Sequence, residues 1–224
     1  MQNRIIITAL ILAALSLWAP PLHAWEAVKI KCKAPEAQKL FDEEYNLLVA
    51  DFSDKNVDQA IVLMEKATAI EPTNDMLWVE LSGNLWERGD RLPKDTDAQK
   101  KIRLGYFNRG LEAAKKALAV KESAAAHFWL ATNMASGGEM KGILKSVPMF
   151  PTLVKETGRC DQLDPHYGRG ATARFWSEVI SRVPDNVVRM VGMKPDDAIN
   201  AIQAEIKRDP IYFDNRVYMA NYLH

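Results

Sequence analysis

The residues of this 224-residue chain that could do chemistry are four histidines, two cysteines, a few runs of carboxylates and one glycine-rich turn. Beyond His23, the histidines are His127, His166 and His224. None stands at metal-ligand spacing from another histidine or from a cysteine. His127 runs directly into Phe128-Trp129 on a helical stretch, the setting of a hydrogen-bonded, partly buried histidine. His166 follows Asp164-Pro165 in a turn, and His224 is the last residue. Gly168-Arg169-Gly170 lacks the third glycine and the strand context of a dinucleotide site. There is no Walker-type lysine and no Gly-x-Ser-x-Gly elbow. Asp42-Glu43-Glu44 and Asp196-Asp197 fall in the opening turns of helices, where carboxylates complement the dipole and meet water. An acid–base pair would have to assemble from distant helices, as in helical glycoside hydrolases, and no such convergence is visible. The expectation is a non-enzyme without catalytic, metal or cofactor residues, a helical hydrolase being the least favoured alternative.

Cys32 and Cys160 are an even pair, which in an oxidising compartment invites a disulfide. It would close a loop of about 130 residues, worth roughly 5 kcal/mol in a chain-entropy treatment. The competing reading makes Cys160 a small core residue. Export itself is read from residues 1–24. Arg4 is followed by the uncharged, mainly apolar run Ile5–Ala19, then Pro20-Pro21 and Ala24, the layout of a cleaved secretory signal. The apolar run is short against the ~20 residues that span a bilayer. The expected mature domain, residues 25–224, is periplasmic or secreted. The full chain's 29 basic and 29 acidic residues lose only Arg4 on cleavage, a balance that gives no reason to expect nucleic acid or an anionic membrane as partner.

Positioning falls to helices. From Val57 to Thr73, Val57, Ala60, Ile61, Met64, Ala67 and Ile70 recur at three and four, and Pro72 stops the helix. Pro35–Phe52 reads as a helix before it. After it, Asn74 reads as the cap of a helix carrying Trp78, Leu81, Leu85 and Trp86. The small–large–small ladder of Ala60, Met64 and Ala67 recurs at Gly110, Ala114 and Ala117, at Leu153, Thr157 and Cys160, and at Ala198, Ile202 and Glu205. Glu205 fits poorly, being large and charged. The pattern Trp78-x-x-Leu81-Ser82-x-x-Leu85, with the ladder before it, resembles the tetratricopeptide repeat. The expected fold is all-α: a right-handed solenoid of four to five such hairpins with long intra-hairpin insertions.

The ladders lie 50, 43 and 45 residues apart, against about 34 for that repeat. The excess falls at Arg88–Asp97, Ser136–Pro151 and Arg182–Pro195, which stacking would bring to one edge. The first insertion is polar. The second carries Met140, Ile143, Leu144, Val147, Met149 and Phe150, and the third carries Val187, Val188, Met190, Val191 and Met193. Apolar loops either fold back as a cap or meet another surface, so these residues are candidates for a subunit contact or an apolar passage. A second candidate surface is the concave groove, with Trp78 and Trp86 on one helix face and Asn84, Asn108 and Asn133 as polar contacts. Alternatively, the tryptophans are simply the large core residues of their hairpins.

Three stretches, AAAHFWLATNMASGG (124–138), LDPHYGRGATARFWSEVISRVP (163–184) and DDAINAIQAEIKRDP (196–210), together with the repeat signature of 57–86, resemble the T-component family of TRAP transporters. The resemblance implies an exported, non-catalytic helical protein that docks a solute-binding subunit, as a homo-oligomer (a trimer) with a passage for a small apolar solute. The lipid-attachment cysteine of the best-known members has no counterpart after the leader. A general envelope scaffold holding a partner peptide or helix in its groove is the alternative.

Overall fold

The computed structural model describes residues 30–190 and 192–223, without the side chains of Ile143, Leu144, Met190, Pro195 and 221–223. The expected leader at 1–24, Val191 and His224 lie outside the described residues. Every regular element among them is helical, and no helix is long and apolar enough to cross a membrane.

In chain order the helices are α1 (Pro35–Ala50), α2 (Asp54–Ile70), α3 (Asp75–Arg91), α4 (Asp97–Val120), α5 (Ala124–Lys141) and the single turn α6 (Ile143–Ser146). They continue with α7 (Phe150–Leu163), α8 (Ala171–Arg182), α9 (Asp185–Met190), α10 (Pro195–Arg208) and α11 (Asp214–Leu223). Their ends follow local chemistry. Pro35 and Pro195 open α1 and α10, where a missing amide costs nothing. Thr96 and Gln99 form a reciprocal capping box on α4, and the Ser123 hydroxyl accepts from Ala126 N–H on α5. α2 stops two residues short of Pro72.

Asn74 departs from its expected role. It stands at the N-cap of α3, but its side chain makes no cap bond. Its amide donates instead to the Lys31 carbonyl and to Glu71 Oε1. Glu71 Oε2 in turn accepts from Lys33 N–H at 2.7 Å and Ala34 N–H at 2.9 Å, where the chain enters α1. These amide bonds hold the Glu71 carboxyl below its ordinary range.

Helices contact mainly their neighbours in the chain: α1 on α2, α2 on α3, α3 on α4, α4 on α5, α5 on α7, and α8 with α10 and α11. The alternate helices α3, α5 and α8 also touch in sequence, forming one wall. All four ladders face inward, with Ala60, Met64, Ala67, Ala114, Ala117, Thr157, Cys160 and Ile202 at 2% exposure or less. Glu205 is accommodated by glycine. A Cβ on Gly170 would lie 2.6 Å from Glu205 Cγ, and Gly170 holds a φ of 92° that other residues rarely adopt.

The second insertion folds into α6 and a 3₁₀ turn at Val147–Met149, the third into α9. Phe150, Val187 and Val188 are 3%, 6% and 0% exposed, and Met193 packs half-buried on the cluster of Ile180, Val188 and Ala198. Burial of each large apolar side chain is worth about 1.5–3 kcal/mol, so these residues serve the chain's own core. The two cysteines are both free. Cys32 packs on the first core cluster of α1–α3, whereas Cys160 is sealed within α7, its thiol pushed up to about 12 by burial. No bond joins them, and Cys160 sits as the small buried residue of its ladder, the second of the two readings.

Candidate functional site

The wall of α3, α5 and α8 borders a cavity of about 1170 Å³, closed on its far side by the loop 164–170, Tyr212 and α11. Its floor is aromatic. The Trp86 and Trp129 rings lie 5.7 Å apart, Phe128 sits edge-on to Trp129 at 5.3 Å, and Tyr167 lies 5.3 Å from Phe128. Polar ties fix the rings: Trp86 Nε1 donates to Ser136 Oγ at 2.9 Å, and the Trp129 indole hydrogen-bonds the Tyr167 phenol. Burial pushes the Tyr167 hydroxyl well above the usual phenol range. Met149, Phe150, Leu153, Phe175 and Val179 extend the apolar lining.

Met149 reaches the cavity because Gly138 leaves room for it. A Cβ there would stand 2.6 Å from Met149 Sδ, and the Ser146 hydroxyl donates to the Gly138 carbonyl at 2.7 Å. The rim is ionic. Glu139 accepts from Lys94 at 2.7 Å and Arg182 at 3.0 Å, joining the α3–α4 loop, α5 and α8. Burial works to raise the Glu139 carboxyl, but the two cations outweigh it and hold it below the ordinary value.

The cavity gathers Trp86, Met149 and Phe150, drawn from both sequence-derived candidate sets. Other candidates lie elsewhere. Trp78 and exposed Asn108 border a separate hollow of about 460 Å³ between α2, α3 and α4, with Lys116 Nζ 4.3 Å above the Trp78 ring. Trp78 and Trp86 do not share a face because eight residues at 100° leave them about 80° apart around the helix. Asn84 and Asn133 are 6% and 1% exposed, structural rather than groove-facing. Asn84 Nδ2 donates to Glu44 at 2.7 Å, and Asn133 Nδ2 to Ser82 Oγ at 3.1 Å and the Trp129 carbonyl at 3.0 Å. Met140 is half-buried near the end of α5, and Val147 half-buried in the 3₁₀ turn. Val191 and the side chains of Ile143, Leu144 and Met190 fall outside the description.

Arg169, Arg174, Glu139, Tyr167, Phe175, Tyr212 and Tyr218 line the cavity without being singled out by any sequence pattern above. Aromatics recur soon after the breaks before α3, α5 and α8, at Trp78, Phe128-Trp129 and Phe175-Trp176, a signal that marks the alternate helices forming the wall.

Titratable clusters outside the cavity are structural. His127 is 8% exposed, with Nδ1 2.5 Å from Glu156 Oε2 and Nε2 3.1 Å from Glu122 Oε1. Both ring nitrogens are occupied, so neither can activate a nucleophile. Arg159 clasps Glu122 with two bonds, and with the histidine holds that carboxyl down to about 2. His166, by contrast, borders the cavity from the loop 164–170; it is exposed, with its backbone amide bonded to Asp164 Oδ1, in the turn expected for it.

One carboxyl pair does assemble from distant helices. Glu44 of α1, 1% exposed, meets Glu80 of α3: burial raises both carboxyls, the Glu80 charge raises Glu44 further, and the hydrogen bond from Glu44 partly offsets the rise at Glu80. Glu44 is therefore not the solvated helix-start residue expected of it, and neither member lines the cavity. Among the described residues no group of three or more His, Cys, Asp and Glu could hold a metal ion. No protein-family model matches the chain, and no curated protein matches it significantly.

Proposed function

We propose that this chain is a non-catalytic binding protein of tetratricopeptide-like build, whose inner groove holds a small apolar or amphiphilic solute. In this reading the hairpins α1–α2, α3–α4, α5–α7 and α8–α10 form a right-handed solenoid, with α11 closing the groove. The observation that carries it is the aromatic cavity of about 1170 Å³ bordered by α3, α5 and α8. Ligand pockets run to roughly 300–1,000 Å³, mostly apolar with a few convergent polar groups. The resemblance to TRAP T-components supplies the setting: an exported accessory subunit that passes solute to a solute-binding protein. Assembly as a trimer belongs to the same proposal. An exposed apolar contact for it exists in the α10–α11 turn, where Ile211 and Phe213 are 88% and 65% exposed.

A second reading, a groove for a partner's peptide or helix, draws on the same lining, because tryptophan, tyrosine and arginine are the residues that anchor protein interfaces. Solute titration followed by tryptophan fluorescence separates the two, since Trp86 and Trp129 report directly on the groove. Saturable quenching by apolar solutes, abolished by Ala135→Trp, supports the solute site. If only a peptide from an envelope extract competes for the groove, the scaffold reading replaces it.

A further inference from the structure

Four arginines line the groove, and three are answered by carboxylates: Arg169 by Asp209, Arg182 by Glu139 and Glu178, and Arg208 by Glu205. Arg174 is different. No described carboxylate lies within ion-pair distance of it, and neutral acceptors hold it instead. Its Nη1 donates to the Arg169 carbonyl at 2.9 Å and to Asn215 Oδ1 at 2.7 Å, and its Nη2 to the Gly168 carbonyl at 2.7 Å. These bonds orient the guanidinium without neutralising it. The Nε–H and the second Nη2–H have no protein acceptor among the described residues. Nε and Nη2 share one edge of the fork, the side that takes a carboxylate with two parallel bonds.

The support behind this arginine is built. Asn215 is fully buried, and its Nδ2 donates at 3.2 Å to the same Arg169 carbonyl that Arg174 uses. The carbonyls are presented by three successive residues at positive φ, Gly168 (53°), Arg169 (56°) and Gly170 (92°). Arg169 is the one non-glycine at positive φ among the described residues. A strained backbone persists where its surroundings over-determine it, commonly at binding sites. Tyr212 lies against the same cation, its ring 5.0 Å from the guanidinium carbon.

We propose that the groove binds an amphiphilic carboxylate, its head on Arg174 and its apolar body along Trp86, Phe128, Met149 and Phe175. The charge is single, because the other three arginines are already paired and Asp214, which lines the same cavity, would repel a second carboxylate. This rests on the reading of the groove as a solute site, and the test separates the two.

Decanoate, 1-decanol and decanedioate are titrated into the full chain, with tryptophan fluorescence and calorimetry as readouts. Decanoate is expected to bind at least about tenfold tighter than 1-decanol and than decanedioate. Arg174→Met should erase the advantage over the alcohol, with the decanoate-to-decanol affinity ratio falling to about one. Arg174→Lys, a point charge without the fork, should keep part of it. If decanoate and decanol bind alike to the wild type, or Arg174→Met keeps the preference, the carboxylate assignment is wrong and the groove reading stands. If no probe binds, or Ala135→Trp leaves binding untouched, both fall. Thermal melts establish that each variant folds; should Arg174→Met not fold, the wild-type ratio and Arg174→Lys decide.

Discussion

Glu44 shows how little a residue's surroundings can be read from its neighbours in the chain. In the run Asp42-Glu43-Glu44 the three carboxylates look interchangeable, yet Asp42 and Glu43 are exposed and Glu44 is sealed between α1 and α3. Which face of α1 turns inward depends on α3, over thirty residues away, and no local spacing records that. The pairing has a consequence for stability. Both carboxyls are raised in the folded protein, each by burial and Glu44 also by the Glu80 charge, so folding favours the protonated forms. Their contribution is fully present below the unfolded carboxyl value of about 4.3. It is lost as pH climbs from there through the raised folded values. Glu44→Gln keeps the shape, accepts from Asn84 through its oxygen, and can donate to ionised Glu80 through its amide. Urea denaturation should give matching stabilities at pH 4.5 and a more stable variant at pH 8, by about 1–3 kcal/mol. Parallel pH profiles for the two proteins would show that the pair does not titrate as argued. Arg174 was equally illegible, because its meaning lies in the carbonyls and the asparagine that surround it.

At the scale of the element, the sequence was informative wherever one helix carried its own punctuation. The stretch Val57–Thr73 became α2 at Asp54–Ile70, ended by Pro72, and the ladder residues of all four copies except Glu205 are buried. The long helices do break within Arg88–Asp97, Ser136–Pro151 and Arg182–Pro195, but the direction of the apolar segments was not fixed, since an apolar run is the same whether it folds back or meets a partner. α9 folds back, and removing two methyls by Val188→Ala should cost about 2 kcal/mol in denaturant titration. A cost near zero would mean α9 is not docked. Gly138 offers a sharper test of how α5 and the 3₁₀ turn set the groove. Alanine in a helix is favoured over glycine by about 1 kcal/mol, but here its Cβ would strike Met149 and crowd Ser146. Gly138→Ala alone should therefore destabilise by about 1–2 kcal/mol. In a Met149→Ala background the same change should be neutral or stabilising. A double-mutant cycle measures the difference, and a coupling near zero would place Met149 elsewhere.

For the whole molecule, the decisive feature is that helices lean mainly on their neighbours in the chain. Stability then sums from adjacent contacts, and segments with few of them open on their own. The clusters are unequal: twelve buried residues make the first, around α1–α3, while three make the last, around α8–α10. α11 adds exposed Ile211 and Phe213 in the turn that leads into it. Protection against amide exchange should accordingly fall along the chain, with α3–α5 protected near the global unfolding free energy and α10–α11 opening below it. Groove occupation should reverse part of that gradient, because the loop 164–170, α8 and α11 supply its far wall. Saturating decanoate should slow exchange most in α8 and α11 and least in α2, which does not touch the cavity. Hydrogen-exchange mass spectrometry resolves these segments. A single common opening energy for every helix would mean that the chain unfolds as one cooperative body, and neighbour-only packing would then be the wrong description. Protection that spreads evenly on adding ligand would separate that fault from the groove itself: the solute would still bind, but through global stabilisation rather than by tying α11 down onto α8.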